Sequence, residues 1–68
     1  MNKYNYRLKI KKYRELKGLT QKELAQKIGI SRSYFADLEN GKYDIKLSML
    51  IKTSKVLRVV PSKLIEYK

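Results

Sequence analysis

Gly18-Leu19-Thr20-Gln21-Lys22-Glu23-Leu24-Ala25, followed by Ile28-Gly29-Ile30-Ser31, is the stretch on which the fold turns. Its core, Thr20-Gln21-Lys22-Glu23, spells a capping box: the Thr20 hydroxyl can accept from a backbone N–H three residues on, and the Glu23 carboxylate can reach back. Leu24, Ala25 and Ile28 then form the buried stripe of a helix. Gly29 supplies the left-handed residue that lets the chain turn sharply, and Ile30 plugs the corner. Ser31 caps a further helix, from Arg32 to about Glu39. Its Phe35 and Leu38 point inward, Arg32, Ser33, Tyr34 and Asp37 face out, and Asn40-Gly41 ends it.

The same punctuation, read toward both ends, predicts three more helices. The first runs from about Tyr6 to Lys17, capped by Asn5 and stopped by Gly18, with Tyr6, Ile10, Tyr13 and Arg14 on one face. Period-two alternation of Tyr4, Tyr6, Leu8 and Ile10 is a competing strand signal, and helix is the preferred reading. The fourth helix spans about Lys46 to Leu57, with Leu47, Leu50, Ser54 and Leu57 on one face. Pro61 sits where the first turn of a fifth would start. Val56, Val59, Leu64 and Ile65 complete the core. The expected fold is all-α, a compact bundle of five helices formed by residues 6–68 and preceded by a short arm, residues 1–5.

Composition narrows the chemistry. The chain has 68 residues, 17 Lys+Arg against 6 Asp+Glu, neither Cys nor His, and a formal net charge of +11. Without Cys there is no disulfide or thiolate zinc site, and without His the commonest general base and metal ligand is missing. No metal or other cofactor is expected, and six scattered acids suggest no acid/base pair, so an enzyme is the least favoured class. The longest apolar run, Met49-Leu50-Ile51, falls far short of the ~20 residues of a membrane span. It is also short of the ~7 to 15 residues of a signal-peptide core, so a cytoplasmic protein is expected. Hydrophobic residues make up 43% of the chain, enough for a packed core despite the charge. The excess of positive charge predicts a polyanionic partner, with nucleic acid first and an anionic membrane or acidic protein second. Charge is concentrated at the head, where Lys3, Arg7, Lys9, Lys11, Lys12, Arg14 and Lys17 stand against Glu15 alone.

The stretch from Gly18 to Ala25, the Ile28-Gly29-Ile30-Ser31 corner and Leu38-Glu39-Asn40-Gly41-Lys42 together resemble the phage-repressor and Cro-like helix-turn-helix family, also called the XRE family. The resemblance covers about residues 7 to 67. It implies a bundle of the phage-repressor type whose third helix, about residues 32–39, enters a DNA major groove. By that likeness Gln21 and Lys22 bind a backbone phosphate at a helix N-terminus, the alternative for Gln21 being an ordinary exposed first residue of its helix. Asn40, Gly41 and Lys42 resemble the loop that grips a second phosphate through main-chain N–H groups and a lysine. A plain C-cap would look the same. Arg32, Ser33, Tyr34 and Asp37 match the base-reading positions. A guanidinium at Arg32 can chelate guanine, or touch a phosphate without sequence content. Tyr34 can meet a thymine methyl or a phosphate, or pack half-buried on the second helix. Asp37 is either a contact, accepting from cytosine N4 or paired with a neighbouring cation, or a solvent-facing spacer. Arg14 and Glu39 match a structural ion pair. Two departures concern the loops: Ile45-Lys46 replaces a Pro and a Ser/Thr cap, so that Asp44 can cap a helix starting up to two residues early. Arg58 and Val60 stand at usual Gly and capping positions.

The function expected is sequence-specific binding of double-stranded DNA as a transcriptional regulator, a repressor before an activator, on a two-fold symmetric operator. With no separate oligomerisation domain apparent, the homodimer surface is expected among Ile51, Val59, Val60, Ile65 and Tyr67, although these residues could simply finish a small core. The alternative is an antitoxin or restriction-modification controller in which protein interaction or autoregulation is the main role. A basic membrane binder would carry Trp, Phe and Leu opposite Lys on one continuous helix, and this chain does not. No small-molecule ligand is evident.

Overall fold

The capping box of Thr20 and Glu23 closes in full in the computed structural model, which describes residues 4–67. The Thr20 N–H donates to Glu23 Oε1 at 2.8 Å and the Glu23 N–H to Thr20 Oγ1 at 3.0 Å. This starts helix α2, Gln21–Ile28, preceded by the strand β1, Tyr6–Leu8, and helix α1, Ile10–Leu16. Helices α3, Arg32–Glu39, and α4, Leu47–Leu57, follow, then a single 3-10 turn over Pro61–Leu64 and the strand β2, Ile65–Tyr67.

The expectation of an all-α, five-helix bundle is therefore corrected at both ends. Among the described residues there are four α-helices and an antiparallel strand pair, in the register Tyr6↔Tyr67, Arg7↔Glu66 and Leu8↔Ile65. The alternation of Tyr4, Tyr6 and Leu8 is a strand signal after all, and it is completed by a partner at the far end of the sequence. The Lys9 N–H extends the tie, donating to the Leu64 carbonyl at 2.8 Å. Helix α1 starts at Ile10, so Asn5 does not cap it; Lys9 occupies the cap position with no side-chain hydrogen bond. After Pro61 only one 3-10 turn fits before β-favouring Ile65-Glu66-Tyr67 becomes extended chain, which removes the fifth helix. Residues 1–3 of the expected arm and residue 68 lie outside the described residues.

Ile10, Leu24, Ala25, Ile28, Phe35, Leu50, Leu57 and Leu64 form the core cluster, each at most 4% exposed. Removing each large apolar side chain from water stabilises the fold by about 1.5–3 kcal/mol. Thr53 and Ser54 are buried beside them and donate their hydroxyls back to the carbonyls of Met49 and Ile51, at 2.8 and 2.7 Å. Leu47 does not join the inward face expected of it. It opens α4 and is 69% exposed. The cap of α4 is Lys46 and carries no side-chain bond, so the helix neither begins early nor uses Asp44. Val56, Val59 and Ile65 pack half-buried against the core, and Leu64 is buried. Arg58, standing where a glycine would be easier, takes the left-handed conformation at φ 59° and ends α4. No helix among the described residues is long and apolar enough to cross a membrane.

Candidate nucleic-acid interface

Helix α3 is aimed by a corner with little slack. Gly29 ends α2 at φ 81°, and both its N–H and that of Ile30 donate to the Ala25 carbonyl, at 2.9 and 3.0 Å. Ser31 Oγ then accepts from the Tyr34 N–H at 3.1 Å, so α3 begins three residues after α2's cap. Phe35 and Leu38 anchor its inner side in the core. Arg32 and Ser33 are left exposed on its first turn, while Tyr34 and Asp37 are half-buried. A groove runs along the corner between Lys22, Gln26, Ser31 and Arg32. Gln26 is a member of this surface that the sequence reading passed over, although it lies one helical turn from Lys22.

A buried network fixes α3 at its other end. Arg14 Nε donates to Glu39 Oε2 at 2.8 Å, a second guanidinium nitrogen reaches Glu39 Oε1 at 3.4 Å, and the third donates to the Leu19 carbonyl at 2.8 Å. The two side chains are 9% and 2% exposed. Gln21 Nε2 donates to Glu39 Oε1 at 2.9 Å, so one carboxylate ties α1, α2 and α3 together. That bond uses one hydrogen of the Gln21 amide and leaves its second for another acceptor. Gln21 and Lys22 also open α2, where helix geometry gives their N–H groups no carbonyl four residues back.

The loop after α3 has the geometry of a C-cap, the plainer of the two readings of Asn40, Gly41 and Lys42. The N–H groups of Asn40, Gly41 and Lys42 donate to the carbonyls of Ala36, Leu38 and Asp37, at 3.0, 3.1 and 2.9 Å. These main-chain amides close the end of α3, while the side chains of Asn40 and Lys42 are exposed. Gly41, at φ 76°, shapes the turn. The Lys42 ammonium stands 4.0 Å from Asp37 Oδ2 and 5.6 Å from the centroid of the Tyr43 ring, and Tyr43 leans on Tyr34 with centroids 5.7 Å apart.

Acids near this surface are each held by a partner. Asp37 has Lys42, and Glu39 has Arg14 and Gln21. The Thr20 N–H and then the Thr20 hydroxyl hold the Glu23 carboxyl below its ordinary range. Asp44 accepts from the Tyr6 hydroxyl, which itself accepts from the Ile45 N–H at 2.9 Å. Burial, and next the bond to Asp44, push the Tyr6 phenol up. Nothing local in the sequence marks Tyr6 for this role, since its partners lie 38 and 39 residues away.

The residues considered for a dimer surface fall in separate places. Ile65 and Tyr67 line a groove with Tyr6, Ile45 and Leu47, whereas Ile51 lines another beside Ser48, Lys52 and Lys55. Tyr67, Val60 and Ile51 are 90%, 57% and 38% exposed; Val59 is half-buried.

Residues 10–64 match the helix-turn-helix family. Over 51 residues the chain is 45% identical to an uncharacterized HTH-type transcriptional regulator of Methanocaldococcus jannaschii, covering 75% of this chain and 77% of that protein. It is 39% identical over 57 residues to the immunity repressor protein of Bacillus phage phi105, covering 84% of this chain but only 40% of the repressor. Among solved structures, SinR of Bacillus subtilis, the master regulator for biofilm formation, crystallised in complex with DNA, superposes with a TM-score of 0.72. There the identity is 37%, over 78% of this chain and 86% of the other.

Proposed function

This chain belongs to the helix-turn-helix family of DNA-binding transcription regulators, and from that premise we propose that it is a repressor that binds a two-fold symmetric operator as a homodimer. The observation that carries the reading is the exposure of Arg32 and Ser33 on the first turn of an α3 whose inner side and far end are both anchored. A helix held this way offers its outer side chains to base edges in a major groove while the body stays clear.

In this reading Arg32 contributes a bidentate contact to guanine, and Ser33, Tyr34 and Asp37 the neighbouring contacts. Such a bidentate pair discriminates against a wrong base by about 1–3 kcal/mol. Gln21 and Lys22 hold one phosphate at the start of α2, where the helix dipole favours an anion. Asn40 and Lys42 hold another through their side chains, with Gly41 setting the turn between them. Arg14 and Glu39 carry no DNA contact and set the angle of α3. One such domain touches too few base pairs for genomic selectivity. Two copies place their recognition helices about 34 Å apart on one DNA face. The contact between copies is built on the groove that Ile65 and Tyr67 share; Val59, Val60 and Ile51 are the other apolar residues considered for it. The protein acts where the DNA is, in the cytoplasm.

The test is a titration of a selected operator and of random duplex at several salt concentrations, with the stoichiometry of the operator complex measured by sedimentation. Affinity for the operator is expected to exceed that for random duplex by about 10³ or more, with a steep salt slope and two chains per operator. Equal affinity for every duplex would reduce the protein to a nonspecific coat.

A further inference from the structure

Tyr43 belongs to none of the surfaces assigned above, and it is an aromatic ring left 41% exposed. It takes no part in the core cluster. Its contacts run instead to the recognition helix: the ring leans against Tyr34 at 5.7 Å between centroids with 39° between planes. That separation falls in the range where aromatic pairs attract beyond simple burial. The Lys42 ammonium stands 5.6 Å from the centroid of the same ring.

The segment that carries Tyr43 is pinned on both sides. On one, the Lys42 N–H donates to the Asp37 carbonyl at 2.9 Å and Gly41 turns at φ 76°. On the other, the Tyr6 hydroxyl holds the Asp44 carboxylate and accepts from the Ile45 N–H. A tyrosine ring on the outer face of a helix has two torsions with which to swing. Here the ring of Tyr34 meets a second ring whose backbone cannot retreat.

We propose that Tyr43 is a specificity-determining residue, fixing the orientation in which Tyr34 meets one base pair and so setting the preference there for an edge with an apolar group, such as the thymine methyl. This rests on the reading of α3 as the base-reading helix. It divides the labour of two adjacent loop residues: Lys42 supplies charge that every sequence feels, and Tyr43 supplies a wall that only one base-pair position feels. The need is for a planar ring and not for its hydroxyl.

Selection from a pool of random duplexes, run on the full chain and on Y34A, Y43A, Y43L and Y43F, tests this. The wild type should enrich a motif, and Y43A should flatten the preference at the position that Y34A also flattens. Discrimination there is expected to fall about two- to tenfold, the factor to which the attraction of an aromatic pair converts. Y43F should restore the wild-type profile, Y43L should not, and Y34A combined with Y43A should lose no more at that position than Y34A alone. Y43L keeps side-chain bulk, so it carries the test should thermal melts show Y43A unfolded. A wild-type motif that Y43A and Y43L leave unchanged at every position would overturn the proposal while leaving the reading of α3 intact. So would a uniform weakening of all duplexes by these two variants. Enrichment of no motif by the wild type would bring down the reading of α3 and this proposal with it.

Discussion

Arg14 and Glu39, 25 residues apart in sequence, meet through an Nε to Oε2 hydrogen bond of 2.8 Å with both side chains nearly closed to solvent. A buried charge that loses its partner keeps its desolvation penalty, so Glu39→Ala or Arg14→Ala should each destabilise the fold by about 3–5 kcal/mol. Replacing both by apolar residues of similar size, Arg14→Met with Glu39→Leu, should be less damaging than either single change. Urea midpoints measure all three. Single variants as stable as the wild type would mean that water screens the pair.

Thr20→Ala removes half of the capping box and should lower stability by about 1 kcal/mol. The Glu23 carboxyl has its folded pKa depressed, first by the bond from the Thr20 N–H and then by the Thr20 hydroxyl. Its contribution is therefore present above the ordinary carboxylate value and lost as pH falls through the depressed folded value. The stability gap between wild type and Glu23→Gln should shrink through that acid window and close below it. A gap that stays constant in thermal melts across the window would contradict the assignment.

Tyr6→Phe removes a donor to Asp44 and an acceptor for the Ile45 N–H at once, a loss of about 1–2 kcal/mol. The phenol's folded pKa is raised, by burial first and by Asp44 next. Stability from this group is thus full below the ordinary tyrosine value and declines as pH rises through the raised one. Alkaline denaturation of the phenylalanine variant should lack that part of the decline; identical alkaline profiles would refute it.

Arg58 at φ 59° carries a left-handed backbone that glycine adopts without strain. Arg58→Gly should stabilise by about 0.5–1 kcal/mol, the relief of strain outweighing the added freedom of the unfolded chain. Gly29→Ala should do the reverse by a similar amount. A methyl group there would meet Lys52 Nζ only at an ordinary 3.8 Å, so the penalty comes from φ 81° and not from crowding. Melting temperatures should shift by about 4–8 °C per kcal/mol in opposite directions.

Arg32→Ala should relax base preference at one or two operator positions, whereas Lys42→Ala should weaken every duplex alike and lower the salt slope by about one. Competition titrations against single-base operator variants separate the two. If Arg32→Ala also weakened all sequences equally, its guanidinium would be assigned to a phosphate.

Features whose partners lie within one helical turn could be read from the chain itself: Thr20 with Glu23, Gly29 as a left-handed stop, Ser31 with Tyr34. The alternation at Tyr6 and Leu8 was visible too, but its meaning depended on Ile65 and Tyr67 at the other end of the sequence, and local periodicity carries no information on a distant partner. For the same reason the fifth helix gave way to a short turn and a strand. At the candidate site, the outward set Arg32, Ser33, Tyr34 and Asp37 followed from helical spacing. The hold of Tyr6 on Asp44 and the contact of Tyr43 with Tyr34 did not. Each of these depends on the path of the loop, which the composition of the loop does not specify.

Because Tyr6 pairs with Tyr67, the start of β1 and the end of β2 lie about one strand spacing apart, ~5 Å. The backbone is thus nearly a closed ring, open at a single seam. Joining the end of β2 to the start of β1 by a short peptide and cutting the chain elsewhere, in an exposed connection away from α3, should yield a circular permutant with α3 in place. An uncut head-to-tail cyclised form should melt higher than the linear chain, because its unfolded state has fewer conformations to gain.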